Sequence, residues 1–261
     1  MSPSYSKLYG ECCHEQWWDE LLELGELTPG SVLWDDAYDV ALQTAQLAKR
    51  NIELIVEFLN RSDYEFGYGI GNGFQADPAP WTPPRAETVD EIRLLEEIAG
   101  PIPLSIRAWW EVVGDVCLQG RFKEDGNTPH DDLPLMDQLC VLPVSQVLRD
   151  LGDWLEDGEQ AEPFEAPICP DIFHKGEYSG GPHYSVRLPD ARADSELKYI
   201  MVFLDGPFEK ASSLIRTRET FTSYMRRTLD WAGFPGLATS RTNSEKYIRR
   251  LNPLFRLMVE I

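Results

Sequence analysis

The chain of 261 residues lacks several features that would define a function class. No stretch approaches the roughly 18 uninterrupted apolar residues that a membrane span needs, and residues 1–10 lack the basic-then-apolar order of a secretory leader. These two absences predict a cytoplasmic protein without a membrane segment. Histidine is scarce, at four residues, and cysteine stands at five, Cys12, Cys13, Cys117, Cys140 and Cys169. An odd, scattered set with one adjacent pair makes a poor disulfide framework and predicts reduced, mostly buried thiols. Basic residues are also few, 24 against 44 acidic ones, for a net charge of −20. Affinity for nucleic acid rests on Lys and Arg displacing counterions from phosphates, so direct nucleic-acid binding is not expected.

The acid is unevenly placed. Residues 1–165 hold 33 acidic and 10 basic side chains, a net of −23, whereas residues 166–261 hold 11 and 14, a net of +3. Such a field confers solubility, and it would also steer a basic partner toward the first part of the chain.

The apolar pattern predicts organisation. Residues 15–27 read as a short acidic helix, and 36–60 as a long one whose face carries Val40, Thr44, Leu47, Asn51, Leu54, Ile55, Phe58 and Leu59, with Asp35 or Asp36 as cap. A strand at 64–68 leads into a glycine- and proline-rich loop over 69–85, the best linker candidate. Thr88 and Glu91 have the spacing of a capping box for a helix ending at Gly100, and a second helix starts near Pro103 and ends at Gly114. Strands are expected at 116–121, 139–142, 165–170, 183–188 and 199–204, and helices at 144–155, 220–231 and, as a basic tail interrupted by Pro253, 244–261. Strands and helices cluster rather than alternate, which predicts an α+β fold with a central mixed, partly antiparallel sheet flanked by helices. The expected division is an N-terminal helical extension and linker (1–85), an α+β domain (86–236) and a basic helical tail (237–261), unless all three form one domain.

Signatures of chemistry are weak. The glycines between Gly67 and Gly73 precede a proline-rich stretch instead of a helix, and no Lys-Ser/Thr pair follows them, so they do not form a phosphate loop. Cys12, Cys13 and His14 lack the spacing of a tetrahedral metal site. Asp171, His174 and His183 are a better set for a metal or for acid-base chemistry, although a structural histidine with one backbone hydrogen bond is the commoner case. Ser179 sits in Tyr-Ser-Gly-Gly without the Gly-x-Ser-x-Gly context of a nucleophile elbow. No catalytic residue and no cofactor is assigned. Trp109 and Trp110 are adjacent on a helix, so one can enter the core while the other points about 100° away; both partly buried is the commoner case, and an interface anchor is the alternative. In the alternating segment 183–188, Tyr184, Val186 and Leu188 are expected to face the core, with His183, Ser185 and Arg187 facing away.

Taken in order, Glu91-Ile-Arg-Leu-Leu-Glu96, Gly100-Pro-Ile-Pro-Leu-Ser105, Ala108-Trp-Trp and Val113-Gly114 resemble the opening of the SUKH superfamily. Asp171-Ile-Phe-His-Lys175, Tyr178-Ser-Gly-Gly-Pro-His-Tyr184, Arg187-Leu-Pro and Leu229-Asp-Trp-Ala-Gly-Phe-Pro-Gly236 resemble a longer bacterial branch of that group. Many members carry Asn-Gly where this chain has Val113-Gly114. The superfamily includes fungal cell-wall-assembly regulators and bacterial immunity proteins encoded beside toxins. The resemblance implies an α+β protein that binds a cognate toxin and blocks it without catalysis, and the acidic block of residues 1–165 would suit a basic toxin. It leaves a regulatory scaffold with several partners, or a metal-dependent enzyme using Asp171, His174 and His183, as rivals. Candidate partner-binding residues are Trp109, Trp110, Tyr178, Gly180, Gly181, His183 and Arg187.

Overall fold

Thirty consecutive residues without Gly or Pro set the frame of the molecule: helix α3 runs over Val32–Arg61, one turn earlier than its apolar face alone predicts. The extra turn comes from Ser31, whose hydroxyl accepts from the Trp34 amide at 3.1 Å and so starts the helix ahead of Asp35 and Asp36. Asp36 instead receives the start of another helix. It accepts from the Tyr5 amide (2.6 Å), the Ser6 amide (3.0 Å) and the hydroxyls of Ser4 and Ser6. Burial pushes the Asp36 carboxyl up, but these hydrogen bonds outweigh it and hold its pKa below the usual value.

The computed structural model describes residues 4–11, 14–23, 27–28, 30–67, 79–125, 136–157, 164–169, 184–187, 209–210, 220–238 and 244–261. Helices α1 (Tyr5–Glu11) and α2 (His14–Glu23) precede α3. After β1 (Tyr64–Phe66) and β2 (Trp81–Thr82) come α4 (Thr88–Ala99), α5 (Leu104–Val112), β3 (Asp115–Cys117), β4 (Gly120–Phe122) and β5 (Cys140–Val141). Helix α6 (Val144–Asp157) then leads to β6 (Glu165–Pro167), β7 (Tyr184–Arg187), β8 (Glu209–Lys210), α7 (Phe221–Asp230) and α8 (Ser244–Phe255). No helix among the described residues is long and apolar enough to cross a membrane.

The class is α+β. Every described strand pair is antiparallel, and the strands form three small sheets, β1-β4, β2-β3-β5 and β6-β7-β8. The run expected as one strand over 116–121 is two, because the chain changes sheets at Leu118 and Gln119. Gly120 permits the change: a Cβ there would lie 2.3 Å from the Glu65 carbonyl oxygen. Single backbone bonds join the sheets, as from Leu142 N to Ile168 O at 2.8 Å.

Helix α3, expected in an N-terminal extension, packs against α1, α5, α7, α8 and β1. Its seam is lined by Ala37, Ala41, Ala45 and Ala48, small enough to let α1 and α5 approach closely. One hydrophobic core runs from Tyr9 and Trp18 through Ile52, Trp109 and Tyr184 to Leu254 and Ile261, drawing on all three segments of the chain. The basic tail folds onto it. Lys246 (2.9 Å) and the Tyr247 hydroxyl (2.9 Å) both reach the buried Asp125 carboxylate, and the Arg250 guanidinium stacks 4.2 Å from the Phe122 ring centre. The strand expected at 199–204 lies outside the described residues.

The capping box is not formed. Glu87 precedes α4 without a side-chain cap, the Thr88 hydroxyl accepts from the Arg85 amide (3.0 Å), and Glu91 is taken by Arg85.

Candidate functional site

Helix α5 is enclosed on several sides, so its adjacent tryptophans find two different interior environments. Trp109 is 2% exposed and meets Phe221 edge-on at 5.6 Å, and Trp110 is 1% exposed and donates its Nε1–H to Leu142 O at 3.0 Å. Both indoles are buried, more fully than the expected partial burial, and the alternative of a surface anchor at Trp109 or Trp110 is corrected. Tyr184 and Val186 enter the core as their alternation predicts, but Ser185 is buried as well, at 3%, with its hydroxyl 3.4 Å from Glu165. Both faces of β7 are therefore covered. Arg187 lies opposite Glu165 in the β6–β7 register. Tyr178, Gly180, Gly181 and His183, and with them Asp171 and His174, lie outside the described residues, as do Cys12 and Cys13. Among the described residues no group of three or more His, Cys, Asp or Glu is placed to hold a metal ion.

Trp110 nevertheless lines a cleft, of about 180 Å³, between the approach to α4, the α5–β3 turn and the first turn of α6. Gly114 makes the cleft possible. Its φ of +88° lets the chain reverse after α5, and a Cβ there would lie 2.4 Å from Thr82 O, so only glycine lets β2 close on β3. The Trp81 Nε1–H, donated to Val113 O at 2.8 Å, holds the same junction. Thr82 stands opposite Asp115 in the register, which brings the Asp115 carboxyl to the wall of the cleft near Arg85. Burial raises the Asp115 pKa to about 6, against the opposing pull of Arg85. Arg85 is itself held by both oxygens of Glu91, at 2.9 and 3.0 Å. The first turn of α6, with Ser145 at the cleft, carries no acidic residue to offset its dipole. The cleft thus presents one carboxyl that changes charge near pH 6, one fixed ion pair and one helix end. It is suited to a hydrogen-bonding group, which the Asp115 carboxyl can meet as acceptor when ionised and as donor when protonated.

A second polar cluster joins α3, α4 and α5. Arg107 reaches Glu111 at 3.0 Å and Glu96 at 3.1 Å, its guanidinium lies 5.4 Å from the Tyr38 ring centre, and the Tyr38 hydroxyl donates to Glu111. Burial, then the bond to Glu111, pushes the Tyr38 pKa up to about 12. Burial also raises Glu96, against the pull of Arg107. The i,i+4 spacing of Arg107 and Glu111 was visible in the sequence, but the two partners from other helices were not. The arrangement locks three helices together.

The surface carries the acid that composition predicted. Glu15, Asp19 and Glu23 recur every four residues along the exposed face of α2. On α3, Asp35 and Asp39 share an exposed face with Val32, which is 86% exposed. On α4, Asp90, Arg93, Leu94 and Glu97 form a third exposed stripe, with Leu94 at 47%. No protein-family profile, curated protein or solved structure matches the chain.

Proposed function

We propose that this chain is a non-catalytic protein-binding module that binds and neutralises a cognate bacterial toxin, and that the toxin is basic. The observation that carries the reading is the concentration of acid in residues 1–165 and its display as stripes on the exposed faces of α2 and α3. Opposite charge on a partner raises the encounter rate and disfavours wrong partners, while the exposed Val32 and Leu94 add apolar area that charge alone does not supply. A basic enzyme that acts on nucleic acid would meet in these stripes a surface that competes for its phosphate-binding groove. The resemblance of residues 88–236 to immunity proteins of the SUKH type supports the same reading.

Co-expression with the product of the adjacent gene tests it. The expected result is a stable complex on gel filtration and rescue of growth from that product's toxicity. Absence of both overturns the proposal. A set of many weak partners in a pull-down would instead indicate a regulatory scaffold, and a stoichiometric transition metal in the purified protein would indicate an enzyme built on Asp171, His174 and His183.

A further inference from the structure

Strand β3 meets β5 with Val116 opposite Val141 and Cys117 opposite Cys140. The Leu118 amide donates to Leu139 O at 2.8 Å, while the Cys117 amide turns the other way, to Pro80 O at 3.0 Å. That pattern makes Cys117 and Cys140 a non-hydrogen-bonded pair, the kind in which opposed side chains stand closest, with Cα atoms roughly 4.5 Å apart. A disulfide spans Cα separations of roughly 4.4–6.8 Å, so the pair lies within its reach without unravelling the sheet. Both residues are thiols, Cys117 partly exposed and Cys140 buried. The Cys140 thiol is hydrogen-bonded to the Cys117 sulfur, and this bond, followed by burial, raises its pKa well above the ordinary value. The Cys117 thiol is directed at Gln119 Oε1, at 3.9 Å, and is the more accessible of the two.

We infer that Cys117 and Cys140 form a reversible redox couple that closes to a cross-strand disulfide on reaction with a small-molecule disulfide of the glutathione class. Cys117 releases its proton to solvent, and its sulfur attacks one sulfur of the small disulfide. That S–S bond breaks, and the first small thiolate leaves and is protonated. Cys140 then gives up its proton and attacks the Cys117 sulfur of the mixed disulfide, expelling the second small thiolate, which is protonated in turn. Two protein thiols are oxidised to one disulfide, and one small disulfide is reduced to two thiols. The second step is the slower, because the buried Cys140 must first ionise, and it accelerates as pH rises. Opposed Cβ atoms in a sheet are spaced roughly 4.5–5.5 Å apart and a disulfide needs about 3.5–4.5 Å, so closure draws the strands together and leaves a bond that is readily reduced. Asp115 lies two residues from Cys117, on the same face of β3, so this tightening reaches the wall of the cleft.

The test equilibrates the reduced full-length protein over glutathione buffers of rising oxidised fraction, quenches with an alkylating reagent under denaturing conditions and maps the peptides by mass spectrometry. The expected result is a Cys117–Cys140 linked peptide with loss of alkylation at both positions, reversed by dithiothreitol and formed faster at higher pH. Cys140→Ala should trap glutathione on Cys117, and Cys169→Ala should leave the yield of the link unchanged. Three outcomes overturn the inference: a link from either residue to Cys169, glutathione retained on wild-type Cys117 without an internal link, or full alkylation of both thiols at the oxidised end.

Discussion

Asn51, at the buried centre of α3, binds the backbone of Val259 in both directions: its Nδ2–H donates to Val259 O at 2.7 Å, and its Oδ1 accepts from Val259 N at 2.8 Å. The side-chain amide stands in for a strand neighbour, satisfying a donor and an acceptor that the chain after α8 has no ladder to satisfy. Replacing it with leucine keeps the volume but leaves both backbone groups without their partner. Asn51→Leu is expected to lower stability by about 2 kcal/mol in denaturant titration. It should also make the chain beyond Phe255 the first site of proteolytic cleavage, and an unchanged cleavage pattern would count against the clamp.

Two glycines with positive φ separate backbone strain from steric overlap. Gly30 (φ +75°) has open space where a Cβ would go, whereas at Gly114 (φ +88°) that Cβ would lie 2.4 Å from the Thr82 carbonyl oxygen. Gly30→Ala should cost about 1 kcal/mol, the price of a left-handed conformation alone. Gly114→Ala should cost about 3 kcal/mol, because β2 must also move away from β3. Equal losses in thermal unfolding would show that the close approach of Thr82 does not matter.

The raised pKa of Asp115 makes its contribution to stability depend on pH. In the native state the carboxyl holds its proton up to about pH 6, whereas in the unfolded chain it loses it near the ordinary aspartate value of 3.8. Between those values the native state binds more protons, so this group lowers stability as pH rises and its cost is complete above pH 6. Asp115→Asn should therefore gain on wild type across that window, by up to about 3 kcal/mol before allowance for solvent screening. A stability difference that does not vary between pH 4 and 7 would remove Asp115 as the titrating group.

Arg107 bridges Glu96 and Glu111, and all three side chains are only 16–22% exposed. Arg107→Met removes the charge while keeping much of the stem, and leaves two part-buried carboxylates facing each other. The expected loss is about 2 kcal/mol at pH 7. It should shrink as pH falls and the Glu96 carboxyl, which burial raises and Arg107 no longer pulls down, takes up a proton. A loss independent of pH would mean that packing of the arginine stem, not its charge, is what matters.

The acidic stripes should govern the rate of binding more than the stability of the fold. Combining Glu15→Gln, Asp19→Asn and Glu23→Gln is expected to slow association with the cognate partner about tenfold at low ionic strength, with the difference closing as salt is added. Stability should change by less than about 0.5 kcal/mol, since all three side chains are exposed. Stopped-flow association over a salt series reads both effects, and a slowing that persists at high salt would place the stripe in direct contact instead of in the steering field.

Local pattern made much of the secondary structure legible. The apolar face of α3, the stop of α4 at Gly100, the start of α5 after Pro103, the bounds of α6 and the close of the α7 turn at Gly233 follow from spacing, proline and glycine placed where the backbone needs them. Capping was less legible. Ser31, Asp35 and Asp36 are all good caps by residue type, and which of them starts α3 depended on Asp36 being taken by α1, a contact some 30 residues away in sequence. Thr88 and Glu91 likewise had the right spacing for a box, but Arg85 offered Glu91 a charged donor, one guanidinium nitrogen shared by both carboxylate oxygens, that the helix amide could not match.

What the amino-acid sequence determined by itself is the acidic balance, the division of that acid between the two parts of the chain, and the helices whose 3.6-residue period can be read without knowing their neighbours. What only the tertiary structure decided is where the non-local groups meet. It buried both Trp109 and Trp110, turned the basic tail onto Asp125 and Asn51, set Asp115 into a cleft and put Cys117 opposite Cys140. Periodicity assigns a residue to a face, but the environment of that face depends on which distant segment packs against it, and that is fixed by the balance of burial and hydrogen bonding over the whole core.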